Sequence, residues 1–95
     1  MENREALLQR LEELHIRLCE KYDTVTVGGR DCFLQGDNHY FRLNGIVPFG
    51  AVVLEHADGI EEAEVNRFED GDLFYLDELS TDEMFECLVA EIEED

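Results

Sequence analysis

The cysteines and histidines are the residues of this chain best suited to bind a metal ion, because thiolate and imidazole are the usual zinc ligands. The 95 residues contain three of each. His15 and Cys19 are four positions apart and would share one face of a helix. The sequence has no C-x-x-C or H-x-x-x-H pair, which structural zinc sites usually contain. We therefore predict no metal site and no cofactor. The other candidate ligands are Cys32, Cys87, His39 and His56.

A cysteine with a histidine is also the minimal arrangement for nucleophilic catalysis. Cys32 could pair with His39 or His56. Its apolar neighbours Phe33 and Leu34 indicate an ordinary packed strand instead. The chain contains neither a nucleophile-elbow motif nor a phosphate-binding loop. We therefore predict no catalytic residues, no small-molecule substrate and no enzymatic activity.

The acidic segment that begins at Asp70 superficially resembles a calcium-binding loop. An EF-hand loop places oxygen ligands at alternate positions and a glycine at its sixth position. Counted from Asp70, position five is Phe74 and position six is Tyr75, so the pattern fails. We predict instead that Asp70-Gly71-Asp72 is a solvated turn that ends a helix.

Carboxylates dominate the chemistry of this chain. Asp and Glu number 25 against seven Lys and Arg, which gives a formal net charge of −18. Residues 58–95 hold 16 of these acids and one Arg, so this segment alone carries −15. Such a polyanion repels nucleic acids and anionic membranes, and its field attracts a basic protein. We predict a cationic protein partner, with no direct binding to nucleic acid or membrane.

Residues 68–79 interleave the acids with aromatic side chains, which are enriched at binding hot spots. The simpler alternative is that the run of charge only keeps the protein in solution. Concentration of the acids in one segment favours binding, because an evenly charged surface would carry less repulsion. One or two of Phe68, Phe74 and Tyr75 would then stay exposed as anchors. The predicted partner-binding residues are Glu62, Glu69, Asp70, Asp72, Tyr75, Asp77 and Glu78.

Helix and strand periodicities define the elements that must position these side chains. Residues 3–22 form a predicted amphipathic helix, because leucines recur there at spacings of 4, 3 and 4. These leucines are Leu7, Leu11, Leu14 and Leu18. Four strands are predicted to follow, at residues 24–27, 32–34, 39–43 and 51–54, with turns at Gly28-Gly29, 36–38 and Asn44-Gly45.

The middle of the chain is less regular. Pro48 is expected at a sheet edge or at the start of a strand, because proline has no backbone N–H. Asp58 and Glu61 have the spacing of a capping box, which favours a helix over 59–69. A strand over residues 62–65 is the competing interpretation. Residues 73–76 are predicted to be a short extended piece that anchors to the sheet.

The last helix has the strongest local signals. Ser80 and Glu83 form a second predicted capping box, and Leu79 and Met84 have the spacing of a hydrophobic staple. The buried stripe is predicted to contain Met84 or Phe85, followed by Leu88 and Ile92. Together the elements predict one α+β domain over the 95 residues. Its N-terminal helix packs on an antiparallel meander of about four strands, followed by a short helix and a C-terminal helix.

The N-terminus and the cysteines bear on cellular location. The first residues, Met1-Glu2-Asn3-Arg4-Glu5, are charged and lack the apolar core of a signal peptide. The three cysteines are odd in number and widely spaced, which favours reduced thiols. No apolar run approaches the roughly 20 residues that cross a bilayer. We predict a cytoplasmic protein.

The C-terminal part of the chain contains four notable short runs: Glu61-Glu62-Ala63, residues 66–73, Asp77-Glu78 and Glu83-Met84. These runs resemble the C-terminal part of small bacterial immunity proteins, which are encoded beside polymorphic or contact-dependent toxins. The order of elements, with a leading helix, a β-meander and an acidic helical end, is also similar. The resemblance implies a cytoplasmic antitoxin that binds one cognate toxin domain, often a basic nuclease, and blocks its active site or substrate groove.

Two other functions fit the same composition. A phage-type inhibitor would mimic nucleic acid and occupy the basic groove of a nuclease such as a CRISPR effector. An acidic interaction protein of unknown role would use its carboxylates only for solubility. The neighbouring open reading frame distinguishes these functions, because a toxin gene favours immunity and a phage operon favours inhibition.

Overall fold

The computed structural model describes residues 2–27, 31–65 and 67–94. Its helices and strands confirm the predicted α+β class. In chain order they are helix α1 (Glu2–Lys21), strands β1 (Thr24–Val27), β2 (Asp31–Gln35) and β3 (Tyr40–Ile46), a 3-10 turn (Val47–Phe49), strand β4 (Ala51–Ala57), helix α2 (Ile60–Glu64), strand β5 (Glu69–Tyr75) and helix α3 (Thr81–Glu93). None of the described helices combines the length and apolarity needed to cross a membrane.

The strands form one antiparallel sheet in the order β1-β2-β3-β4-β5, so every neighbour in sequence is a neighbour in space. The predicted meander of about four strands is therefore extended by a fifth. This strand, β5, pairs with β4 and forms one edge of the sheet. The acidic residues of β5 therefore lie at the margin of the sheet, because β5 has a neighbouring strand on one side only.

Helices α1 and α3 lie together on one face of the sheet. The leucine stripe of α1 is confirmed, because Leu7, Leu14 and Leu18 are buried and Leu11 packs at their margin. Leu8, which lies off the stripe, is 52% exposed. Full burial of a leucine side chain contributes about 1.5–3 kcal/mol, so this stripe is a main reason why α1 docks. The same cluster contains Leu34, Phe41, Val52 and Leu54 from the sheet and Met84, Leu88 and Ile92 from α3.

A second, smaller cluster lies on the opposite face of the sheet. Phe33 is fully buried there, and Ala63 of α2 packs against it. Phe68 stacks on Phe33 with ring centroids 5.6 Å apart. The Arg42 guanidinium lies 4.2 Å from the centroid of the Phe68 ring and 2.9 Å from the Glu55 carboxylate. Phe68 is therefore a packing residue rather than an exposed anchor.

The prediction of a turn at Asn44-Gly45 is wrong, because both residues lie within β3. The glycine allows close packing of α1 instead: a Cβ on Gly45 would lie 2.8 Å from Leu11 Cδ1 and would displace it. The chain reverses in the 3-10 turn, where Gly50 has a φ of 60°. Pro48 lies inside this turn and not at a sheet edge. The predicted Gly28-Gly29 turn falls outside the described residues.

The predicted helix over 59–69 is confirmed only for Ile60–Glu64. Asp58 does not cap it, because the cap residue is Gly59 and no side chain accepts a cap hydrogen bond. The Asp58 carboxylate instead lies 3.1 Å from His39 Nε2. Asp70-Gly71-Asp72 is not a helix-ending turn, because these residues belong to β5. This segment pairs with β4 through the backbone. Such a contact between strands cannot be inferred from local helix signals.

The cap of α3 is confirmed in full. Ser80 Oγ accepts a hydrogen bond from the Glu83 amide at 3.2 Å, and Glu83 Oε1 accepts one from the Ser80 amide at 3.0 Å. These bonds hold the pKa of the Glu83 carboxyl below its usual value. Met84, Leu88 and Ile92 are buried, as predicted. The capping box thus fixes where α3 begins, six residues after β5 ends.

Candidate functional site: an acidic edge strand

The sheet edge formed by β5 carries most of the predicted binding residues. We define the acidic edge as Glu69, Asp70 and Asp72 of β5 together with Asp77 and Glu78, which follow in the next turn. All five side chains are exposed. Charged side chains on an edge strand keep it from pairing with strands of other copies. They also present a row of negative charge to a basic partner.

The two remaining predicted residues flank the acidic edge. Glu62 lies on α2 and is partly buried. It borders a shallow cavity of about 420 Å³ that Glu69 also lines, with His56, Asp58, Arg67 and Phe68. Tyr75 ends β5 opposite Ala51 and is partly buried. The structure therefore places all seven predicted residues on or beside one edge of the sheet, although they do not share one flat face.

A β-bulge shapes the centre of the acidic edge. Val53 pairs with Leu73 and Glu55 pairs with Asp70, so one residue of β4 opposes two of β5. The Asp72 amide donates to Glu91 Oε1 of α3 at 3.2 Å. A Cβ on Gly71 would lie 2.6 Å from Glu91 Oε2, so a larger residue at this position would displace the Glu91 carboxylate. The glycine that suggested a turn in the sequence instead lies at a bulge, where it leaves room for the Glu91 side chain of α3.

Glu91 of α3 is a half-buried carboxyl beside the acidic edge. Burial raises the pKa of its carboxyl, and the charges of Asp72 and Glu94 act in the same direction. The Asp72 amide and His56 act in the opposite direction. Its Oε2 atom is buried without a hydrogen-bond partner among the described residues. The ionised form of Glu91 therefore lowers the free energy of unfolding.

We expect Glu91→Gln to raise the melting temperature at neutral pH. A carboxyl whose pKa is raised by folding destabilises the folded state above that pKa, and the cost disappears as pH falls below the unfolded value of about 4.5. Glutamine keeps the oxygen that accepts from Asp72 and removes the charge. The wild type should therefore gain stability on acidification relative to the variant, measured as melting temperature from pH 7 to pH 4.5.

Glu86→Gln is the matched control, because Glu86 is an exposed residue of the same helix and the net charge changes equally. If Glu91→Gln melts below Glu86→Gln at neutral pH, the charged hydrogen bond to the Asp72 amide outweighs the burial of Glu91. That outcome would contradict the expectation.

Three arginines bind groups outside the acidic edge. Arg10 donates to the Leu79 carbonyl at 2.8 Å, and Arg17 pairs with Asp82 at 2.7 Å, which ties α1 to α3. Arg42 pairs with Glu55. Within the acidic edge, only Glu69 has an ion-pair partner among the described residues: its carboxylate lies 3.3 Å from His56 Nε2. The other four carboxylates form no ion pair in the part of the chain that the structure describes.

Two histidines lie beside the acidic edge. His39 and His56 meet edge to face with ring centroids 5.3 Å apart. They line a half-open cavity of about 200 Å³ together with Gly71, Asp72 and Glu91. Each imidazole lies next to a carboxylate, of Asp58 for His39 and of Glu69 for His56. The acidic walls suit a cationic group, such as a lysine or arginine side chain, rather than an anionic substrate.

Phe49 is strongly exposed, although the sequence analysis predicted other aromatic side chains as the exposed anchors. Phe68, Phe74 and Tyr75 are all partly buried. Phe49 is 61% exposed in the turn between β3 and β4. This turn is joined to the end of β5 by a hydrogen bond of 3.0 Å from the Leu76 amide to the Gly50 carbonyl. A proline before Phe49 and a glycine after it are typical of a turn, and this pattern could have indicated that Phe49 is exposed.

A set of potential metal ligands comes together on the other side of the molecule. His15 and Cys19 of α1 meet Cys32 of β2, and their ligand atoms all lie within 4.8 Å of one another. Burial, then the charge and hydrogen bond of Cys32, raise the pKa of the Cys19 thiol. The spacing of His15 and Cys19 was visible in the sequence, but the approach of Cys32 depends on how α1 packs on the sheet.

Comparison with protein-family models, with curated proteins and with solved structures finds no match for this chain. The geometry of the acidic edge is therefore the basis for assigning a function.

Proposed function

We propose that this protein is a cytoplasmic immunity protein that neutralises a cognate basic toxin domain, such as a nuclease, through its acidic edge. The observation that carries the proposal is the set of carboxylates on and after β5 that have no ion-pair partner in the part of the chain that the structure describes. Asp70, Asp72, Asp77 and Glu78 are exposed and form no ion pair among the described residues. A structural role would favour pairing these charges within the chain, whereas a docking role keeps them available.

The edge position of β5 supports the same function. A toxin that acts on nucleic acid needs Lys and Arg side chains in its substrate groove, and the acidic edge would face those cations in place of phosphate. Phe49, at the adjacent turn, offers an apolar anchor next to the charges. Carboxylate pairs desolvated at such an interface would supply specificity, and the net charge of −18 would accelerate encounter.

We expect the association rate with the product of the neighbouring reading frame to fall at least about tenfold between roughly 0.01 M and 0.3 M salt. Screening shortens the range of the field from about 30 Å to well below 10 Å over this interval, so steering is lost. Stopped-flow or biosensor kinetics at several salt concentrations measures the rate directly. The dissociation rate should change far less, because close contacts are screened weakly.

An association rate that does not change with salt would contradict electrostatic steering. A neighbouring product that is acidic, or that does not bind this chain at low salt, would contradict the immunity function itself.

A further inference from the structure

We propose that His15, Cys19 and Cys32 form a zinc-binding site. Neither the acidic edge nor the proposed immunity function contributes to this inference. His15 and Cys19 lie on α1, and Cys32 lies on β2, three strands away from β5. Two thiols and one imidazole are a donor set that selects Zn²⁺ over Mg²⁺ or Ca²⁺, which prefer oxygen ligands.

The distances fit a tetrahedral ion. Zn–S bonds of about 2.3 Å and a Zn–N bond of about 2.0–2.1 Å place nitrogen and sulfur about 3.6 Å apart, and two sulfurs about 3.8 Å apart. His15 Nε2 and Cys19 Sγ are 3.5 Å apart. All three ligand atoms lie within 4.8 Å of one another. A small side-chain adjustment of Cys32, which is exposed and has room to move, would complete the geometry.

The packing of α1 on the sheet preorganises the three ligands. One turn separates His15 from Cys19, so both point from the same helix face. Leu14 and Leu18, each next to one of these ligands in sequence, are fully buried and fix the rotation of α1 about its axis. Cys32 is held in register by its pairing with Thr26 of β1. The ligands therefore come from two elements whose relative position is set by the hydrophobic core.

The site is of the open type. Three protein ligands leave the fourth tetrahedral position to water, because the described residues offer no further His, Cys, Asp or Glu atom within the same distance. An open position on an exposed surface is also where a ligand from a partner protein could bind. The bound ion would link the C-terminal half of α1 to β2.

Cobalt substitution tests the site. One equivalent of Co²⁺ added to the reduced protein, in the presence of a phosphine reductant, should produce thiolate-to-cobalt charge-transfer absorption and the strong visible bands of tetrahedral cobalt. One equivalent of Zn²⁺ should abolish both signals. Cys19→Ser and Cys32→Ser should each weaken metal binding by more than about 100-fold, which is beyond the effect of losing an outer hydrogen-bond partner.

Cys87→Ser is the matched control, since Cys87 lies on α3 and is not part of the cluster. It should bind cobalt as the wild type does. Zn²⁺ should raise the melting temperature of the wild type and of Cys87→Ser but not of Cys32→Ser, a variant at an exposed position that the fold should tolerate. Circular dichroism establishes that each variant is folded.

Two results would overturn the zinc site. One is the absence of charge-transfer absorption in the folded, reduced wild type. The other is equal cobalt binding by the wild type and Cys32→Ser with only the weak bands of six-coordinate cobalt, which would mean that carboxylates bind the ion.

Discussion

Replacing Glu69, Asp70 and Asp72 together by Gln, Asn and Asn is expected to weaken binding of the proposed toxin partner by at least about 100-fold, or about 2.7 kcal/mol. Removing one member of a desolvated charge pair costs about 2–5 kcal/mol, because the partner's cation stays buried without compensation. The predicted loss of about 2.7 kcal/mol is therefore reached even if only one or two of the three carboxylates are fully desolvated in the complex. Calorimetry or biosensor titration measures the affinity.

A second triple variant, Glu5→Gln with Glu12→Gln and Glu13→Gln, is the matched control. These three side chains are exposed on α1 and are not part of the acidic edge. Both variants carry a net charge of −15, since each removes three of the 18 net negative charges. The long-range field is therefore reduced equally, and only the edge variant loses local contacts. We expect the control to bind with an affinity within about threefold of the wild type.

The edge variant should remain folded. The amides have the shapes of the acids they replace, and the Glu69 carboxylate that meets His56 is 82% exposed, so that pair contributes little to stability. Loss of affinity in both triple variants would show that net charge alone governs binding. Loss in neither would move the interface to another surface, such as the sheet around Tyr40 and Arg42. Both results would contradict a role for the acidic edge.

The elements that the sequence predicts well are those fixed by local chemistry. The leucine spacing of α1 and the Ser80–Glu83 cap of α3 each depend on residues within a few positions of one another. β-Branched alternation likewise located β1 from four residues. These local patterns match the structure because the apolar faces that they define are the faces buried in the core.

The errors occur where contacts distant in sequence override local preference. Asn44-Gly45 has the composition of a turn, but α1 packs against the glycine and keeps it within β3. Asp70-Gly71-Asp72 also reads as a turn, but Glu91 approaches Gly71 and the segment joins β4 as an edge strand. In both cases the glycine provides space for a neighbouring helix, which a local pattern cannot distinguish from a turn.

The candidate sites also show this difference between local signals and tertiary contacts. Charge counting located the acidic segment, because composition is independent of the fold. It could not show that β5 is an edge strand or that Arg10 and Arg17 bind elsewhere, since both follow from sheet order and helix packing. The approach of Cys32 to His15 and Cys19 depends equally on tertiary structure. Neither the exposure of Phe49 nor the burial of Phe68 could be read from spacing alone.

The largest effect is expected in living cells, where neutralisation of a toxin is nearly all or none. The product of the neighbouring reading frame, expressed alone in a bacterial host, should stop growth. Co-expression of this chain should restore it, because a tight complex leaves almost no free toxin once the antitoxin is in excess. The control triple variant should also restore growth, whereas the edge variant should fail at matched protein levels.

Growth of cells that express the neighbouring product, with each of the three forms of this chain, is therefore the most direct measurement of the proposed immunity function. We predict growth with the wild type and with the α1 control, and arrest with the Glu69/Asp70/Asp72 variant. A non-toxic neighbouring product, or equal rescue by all three forms, would contradict neutralisation of a toxin through the acidic edge.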